Sequence, residues 1–293
     1  MIISASYKTD IPAFYGPWFM NRLKAGYARV KNPYGGPAFT VDLGPGAVEG
    51  FVFWTRNPAP FMEALGQIRR LGFPFTVQFT VTGYPRPLEQ ATITAHEAMD
   101  HLAQIRALFG PHAGVWRYDP VVLSSLTPPA WHLENFARLA GKVEGASDEV
   151  VLSFAQPYRK TKRNMAQAAD DHGFTWQDPE ADEKRALLSG LAGLAEAAGL
   201  DLTLCGQPEL LVAGVRPTAC IDAPRLARMA GCPVSAKRKS HREGCACFQS
   251  SDLGDYDSCP HGCVYCYAVG SRDKAKERFA RHDPEAEFLI PLA

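Results

Sequence analysis

Nowhere in the 293 residues do about 18 apolar residues run together, so no membrane-spanning helix is expected. An excess of either charge is missing too. Lys plus Arg and Asp plus Glu number 31 each, so net charge argues neither for a general nucleic-acid binder nor for an acidic tail. The opening residues Met1 to Ser6 lack the basic region and long apolar stretch of a secretory signal, and the expected location is the cytoplasm. Eight cysteines in that compartment are poor candidates for disulfides, and their crowding into the last third points to metal. A hydrophobic content of 46% is ample for a buried core, in one large or two small domains.

Six short β-rich segments recur: Ile2 to Ser6, Glu49 to Trp54, Thr76 to Val81, Gly114 to Tyr118, Glu149 to Phe154 and Asp201 to Cys205. Helical spacing follows several of them, as in Phe61, Leu65, Ile68 and Leu71, or Leu102, Ile105, Leu108 and Phe109. Another helix is expected from about Glu180 to Ala198, with Gly199 at its cap. Such alternation implies an α/β fold with a parallel sheet and right-handed crossovers. Six units predict a partial, open (β/α)6 TIM-like barrel over residues 1–219. Residues 220–293 read as a loop-rich cysteine tail packed on that barrel, folded over its mouth and dependent on metal for its order. A small hairpin or arm is expected around Ala38 to Asp42, between glycine- and proline-rich turns.

Parallel (β/α) folds gather reactive groups at the carboxyl ends of their strands. Those ends supply Thr55 and Asn57, then Gln78, then Arg117 and Asp119, then Ser153, Gln156, Tyr158 and Lys160, and last Glu209. Alternation aims Arg117 and Asp119 to one side of their strand, with Trp116 and Tyr118 on the other. An ion pair closing the rim is one reading of Arg117 and Asp119. The other is a catalytic pair, in which a bidentate Arg suits a carboxylate and an Asp accepts from hydroxyls or an amine. Two basic runs, Arg159 to Arg163 and Lys237 to Arg242, read as solvated faces. Lys160 is the exception, within reach of the rim, and a nucleic-acid partner is compatible with the runs without being favoured.

The run Cys-Pro-His-Gly-Cys-Val-Tyr-Cys-Tyr-Ala places Cys259, Cys263 and Cys266 at C-x3-C-x2-C spacing. Three thiolates on a 4Fe-4S cube leave one iron open, and soft thiolates also suit zinc. Cys205, Cys220, Cys245 and Cys247 form a second set, enough for a fully ligated iron-sulfur cluster or a structural zinc ion. Cys205 also reads as a small core residue, with Cys232 as its replacement. His261 is expected to shape the cysteine loop, and Asp252, Asp255 and Asp257 to form a turn leading into it.

The cysteine run, with an aromatic residue on each side of its third cysteine, resembles the cluster motif of the radical S-adenosylmethionine (SAM) superfamily. That resemblance implies a cube on Cys259, Cys263 and Cys266, SAM on its fourth iron, reductive cleavage of the bound sulfonium and a radical that takes hydrogen from substrate. It implies a reducing electron donor as partner, and backbone contacts from Tyr265 to adenine. Arg-x-Asp-Pro at the fourth strand resembles the matching region of spore photoproduct lyase and its relatives. The chain as a whole resembles a family of uncharacterised proteins with such a cysteine cluster at the C-terminus, through Trp-Thr-Arg-Asn-Pro, Trp-Arg-Tyr-Asp-Pro and the cysteine run. Radical SAM enzymes usually carry their cysteines after the first strand, and here that loop, Tyr7 to Trp18, has none. Their usual Gly-Gly-Glu is also missing, with Thr55 and Asn57 in its place. The tail is therefore expected to return across the mouth to the first loop. The substrate is not readable.

Overall fold

The six expected strands form, and all run parallel in one sheet. The computed structural model describes the chain apart from Tyr34, Glu144, 241–243 and 292–293, so the His241 and Arg242 end of the second basic run lies outside the described residues. In chain order the strands are β1 (Ile2–Ala5), β2 (Tyr27–Val30), β3 (Phe39–Asp42), β4 (Gly50–Thr55), β5 (Phe75–Thr80), β6 (Gly114–Val121), β7 (Leu123–Ser124), β8 (Glu149–Phe154), β9 (Trp176–Gln177), β10 (Asp201–Leu204), β11 (Arg216–Pro217) and β12 (Ser250–Asp252). The helices are α1 (Ile11–Phe14), α2 (Gly16–Ala25), α3 (Met62–Arg70), α4 (Ala95–Phe109), α5 (Pro129–Val143), α6 (Arg159–His172), α7 (Ala181–Ala197), α8 (Ala223–Ala230) and α9 (Arg272–Ala280).

The sheet order is β11-β10-β8-β6-β5-β4-β1-β12. Sequential order with one crossover hand places the intervening helices on one face. There Phe51, Phe53, Phe75, Phe79, Trp116 and Tyr118 pack against apolar residues of α1 to α5 and α7 in the main core. The sheet is open and eight-stranded, where six strands were expected, and it does not close into a barrel. Its two extra strands, Arg216-Pro217 and Ser250-Ser251-Asp252, are short and polar, without the apolar pattern that marks the others. The expected arm is a two-stranded antiparallel hairpin of β2 and β3.

Ile2, Val52, Val115 and Val151 point to the opposite face, which the tail fills with Cys220, Ile221, Ala223, Leu226, Cys245 and Cys247. Helix α8 lies low on it, near the strand starts, where Arg225 meets Asp148 and Glu149 at 2.9 Å each. Among the described residues no helix is long and apolar enough to cross a membrane.

Candidate metal centre at the carboxyl rim

β12 carries the tail back to the start of the chain. It pairs with β1 in parallel, Ile2 opposite Ser250 and Ser4 opposite Asp252. The Asp252 carboxylate, almost out of water, accepts from Ser4 Oγ at 2.7 Å, Ser6 Oγ at 2.8 Å and the Tyr7 amide at 3.1 Å, and meets Lys8 Nζ at 3.4 Å. Gly254 follows because nothing larger fits: a Cβ there would lie 2.0 Å from Ser6 Oγ. A parallel strand ends where its neighbours end, so the next residues emerge at the carboxyl rim.

From there the cysteine run is tied down on every side. Tyr15 donates to the Ser258 carbonyl at 2.6 Å, His261 Nε2 sits 2.8 Å from Asp10 Oδ2, and Tyr267 donates to the Tyr7 carbonyl at 2.7 Å. The Ala91 amide donates to the His261 carbonyl at 2.9 Å and the Val264 amide to that of Leu88 at 3.1 Å. On α6, Lys160 pairs with Asp257 at 3.3 Å, Thr161 donates to the Tyr265 carbonyl at 3.3 Å and Asn164 to that of Val269 at 3.1 Å. Gly262 takes a φ of 77°, the left-handed conformation glycine tolerates best, between Cys259 and Cys263. The run thus lies over the β1 loop, and the first basic run anchors it through Lys160 and Arg163.

Cys259, Cys263 and Cys266 are half-buried free thiols. Burial raises all three pKa values, with Cys259 well above its ordinary value and Cys263 at about 12; electrostatic coupling among the three adds to the rise for Cys259 and Cys263. For Cys266, the Ala268 and Val269 amides and Lys160 pull the other way. Arg56 stands beside Cys263. Burial opposes its cation, but Cys263 and Glu89 outweigh that and hold the guanidinium protonated. Arg56 meets Glu89 at 2.7 Å, and Tyr265 donates to the same carboxylate, which Thr82 also contacts. Thiol donors that are costly to ionise alone, with cations at hand, fit a soft multivalent metal group.

The rim residues divide into three groups. Arg117, Asp119, Gln78 and Ser153 are joined: Arg117 pairs with Asp119, donates to Gln78 Oε1 at 3.0 Å and lies 4.9 Å from the Trp54 ring centroid, and Ser153 donates to Asp119. Both the ion-pair reading of Arg117 and Asp119 and their shared orientation hold, with Trp116 and Tyr118 in the main core. Lys160 reaches the segment that leads into the cysteine run, of which Tyr265 is a member, while Tyr158 bonds Gln156 and its ring stands 6.2 Å from that of Tyr267. Thr55 and Asn57 are spent on their own turn, accepting from the Asn57 and Ala59 amides. Glu209 is exposed, and its neighbour Gln207 turns inward to bond both backbone groups of Phe154. Sequence reading passed over Arg56, Glu89 and Asp10 as site residues, and Asp252, expected in a turn, instead ends β12. Arg56 adjoins Thr55 in a strand-end motif and was within reach, whereas Glu89 sits in a long loop with no local signal.

The second cysteine set also assembles. Cys205 and Cys220 sulfurs lie 3.4 Å apart, and Cys245 and Cys247 share their buried cluster. Cys232 is exposed outside the set. Among the described residues no three His, Cys, Asp or Glu side chains already surround a common metal position.

A family model described as "Domain of unknown function (DUF1848)" matches residues 2–268. No curated protein and no solved structure matches the chain.

Proposed function

The chain belongs to the DUF1848 family, whose description names no activity, and we propose from the rim itself that it is an iron-sulfur enzyme of the radical SAM type. The observation that carries this is the return of the tail: β12 sets Cys259, Cys263 and Cys266 over the β1 loop, at the carboxyl rim where parallel α/β folds bind and react. The sheet is then one wall of a partial (β/α)6 barrel, and its open side admits a large substrate.

Three half-buried thiols fit a cube with one open iron, and Thr9 Oγ1, buried in the β1 loop without a partner among the described residues, fits a rim that accepts a further group. When bound there, the cube and SAM would supply a one-electron cleavage of the sulfonium and a carbon radical able to take hydrogen from substrate. The chain's own share is holding and shielding. Cys259, Cys263 and Cys266 hold the metal; Arg56, fixed by Glu89, places positive charge beside Cys263 and offsets thiolate charge. His261, locked on Asp10, keeps the loop's curvature, and Lys160 spans from α6 to the far side of the loop. Gln156, Tyr158 and Tyr267 line the approach, and the Tyr265 backbone faces where adenine would lie by resemblance. Arg117 and Asp119 stand on the same sheet face, already paired and bonded to Gln78 and Ser153, able to orient a polar group. The partner is a low-potential electron donor and the setting cytoplasmic. The basic runs do not require nucleic acid, since Lys160 and Arg163 are engaged with the tail and Arg238 lies 5.0 Å from the Phe248 ring centroid.

Anaerobic reconstitution with iron and sulfide tests the cluster. The expected outcome is about four irons per chain with broad visible absorbance, lost in Cys263→Ala. Stoichiometric zinc bound by Cys259, Cys263 and Cys266, with no iron, would overturn it.

A further inference from the structure

The sheet face opposite the main helical layer holds four thiols for which packing alone gives no reason. Cys205 directly follows β10, Cys220 precedes α8, and Cys245 and Cys247 come from the stretch before β12, so three segments deliver them to one place. Around them stand Ile2, Val52, Val115, Val151, Ile221 and Leu226. Alanine or valine would serve such an apolar cluster as well as a thiol. Instead all four gather in one buried cluster, with the Cys205 and Cys220 sulfurs 3.4 Å apart.

Two contacts point to sulfur that carries charge. The Arg117 guanidinium, 3% exposed, donates through Nη1 to Cys220 Sγ at 3.1 Å, and the Ile221 amide donates to Cys247 Sγ at 3.4 Å. Metal-bound ligands are commonly held by such outer hydrogen bonds, which orient them and tune their charge. Spacing selects the kind of metal. Sulfurs bound tetrahedrally to one zinc at about 2.3 Å lie roughly 3.8 Å from each other, close to the contact seen here. A cube spreads its four ligands over its corners, well beyond thiol contact.

We propose that Cys205, Cys220, Cys245 and Cys247 form a tetrathiolate site for a single zinc-class ion. The thiols are not preset around one point, and each closes on the ion by rotating about its single Cα–Cβ bond. The ion staples three segments: the end of β10, the entry to α8 and the stretch that leads within three residues into β12. Among the described residues between α8 and β12 there is no helix and no strand, so the staple fixes where β12 meets β1 and hence where the cysteine run lands. The site's ligands share no residue with the rim set of Cys259, Cys263 and Cys266, of which Cys263 packs in a different cluster.

The test uses the full chain with Cys259, Cys263 and Cys266 all changed to Ala, which removes the rim ligands. Expected are one zinc per chain and a zinc-edge absorption spectrum with four sulfurs at about 2.3 Å. Cobalt(II) exchanged into the site should give the strong visible bands of a tetrahedral thiolate. Adding Cys247→Ser should cut retained zinc at least tenfold, while Cys232→Ser leaves it unchanged. If Cys247→Ser does not fold, the spectra of the triple variant still decide. No stoichiometric metal in that variant, iron and sulfide in place of zinc, or a zinc shell of nitrogen and oxygen would overturn the proposal.

Discussion

Arg56 and Glu89 are a buried pair, 12% and 3% exposed at the side chain, with Cys263 beside the cation. Removing one member leaves the other uncompensated, which in buried pairs costs about 3–5 kcal/mol. Arg56→Met should therefore lower stability by about 3 kcal/mol in urea unfolding, and adding Glu89→Gln should restore most of it; a double variant as weak as the single one would show that the pair is not the source. His132 gives a pH signature. Burial lowers its pKa to about 4, while Tyr118 and the Val122 carbonyl bond its two nitrogens at 2.9 and 3.0 Å. The unfolded chain, with His near 6.5, binds the proton that the folded chain refuses, so this site's stability is full above pH 6.5 and lost as pH falls toward 4, by roughly 3 kcal/mol. In His132→Gln the unfolding free energy should lose that part of its slope between pH 6.5 and 4.5. Both groups were hard to read in advance: a lone histidine on a helix and a glutamate in a loop have no spacing that marks a partner.

β12 has three residues, two of them serine, yet it places the whole site. Its position depends on Asp252 and on the close approach of Gly254 to Ser6. Gly254→Ala should strain that contact by about 1–3 kcal/mol. Amide exchange should quicken at 250–254 and through the cysteine run, with β5 and β6 unchanged; equal protection in the variant would show that the approach is not tight. The strands between the edges were legible because each is a continuous β-prone segment buried on both faces. Edge strands β11 and β12 were not, since pairing on one side only asks little of the side chains. Helix α6 was read as a basic run, because its charged first turn hides a buried stripe of Thr161, Met165 and Ala168. Helix α9 buries only Ala275 and so has no apolar stripe for periodicity to reveal.

At the scale of the molecule, the tail fills the sheet face opposite the main helical layer and ends over the first loop. That path was expected from the resemblance, which places the cysteines at the β1 loop where this chain has none. Its agents, Asp252, Lys160 and Tyr15, were not, since each acts across about 100 to 250 residues of sequence. The same distance explains why Thr55 and Asn57, well placed in sequence, spend their side chains locally while Arg56 reaches the cysteines. The claim on which the functional reading rests is that an open iron sits on Cys259, Cys263 and Cys266 and accepts SAM. Electron paramagnetic resonance of the reduced, anaerobically reconstituted chain, with and without SAM, tests it most directly. A 4Fe-4S signal that changes when SAM is added, in the chain that retains its second cysteine set, is the predicted result. A reduced cluster whose spectrum is identical with and without SAM would contradict it.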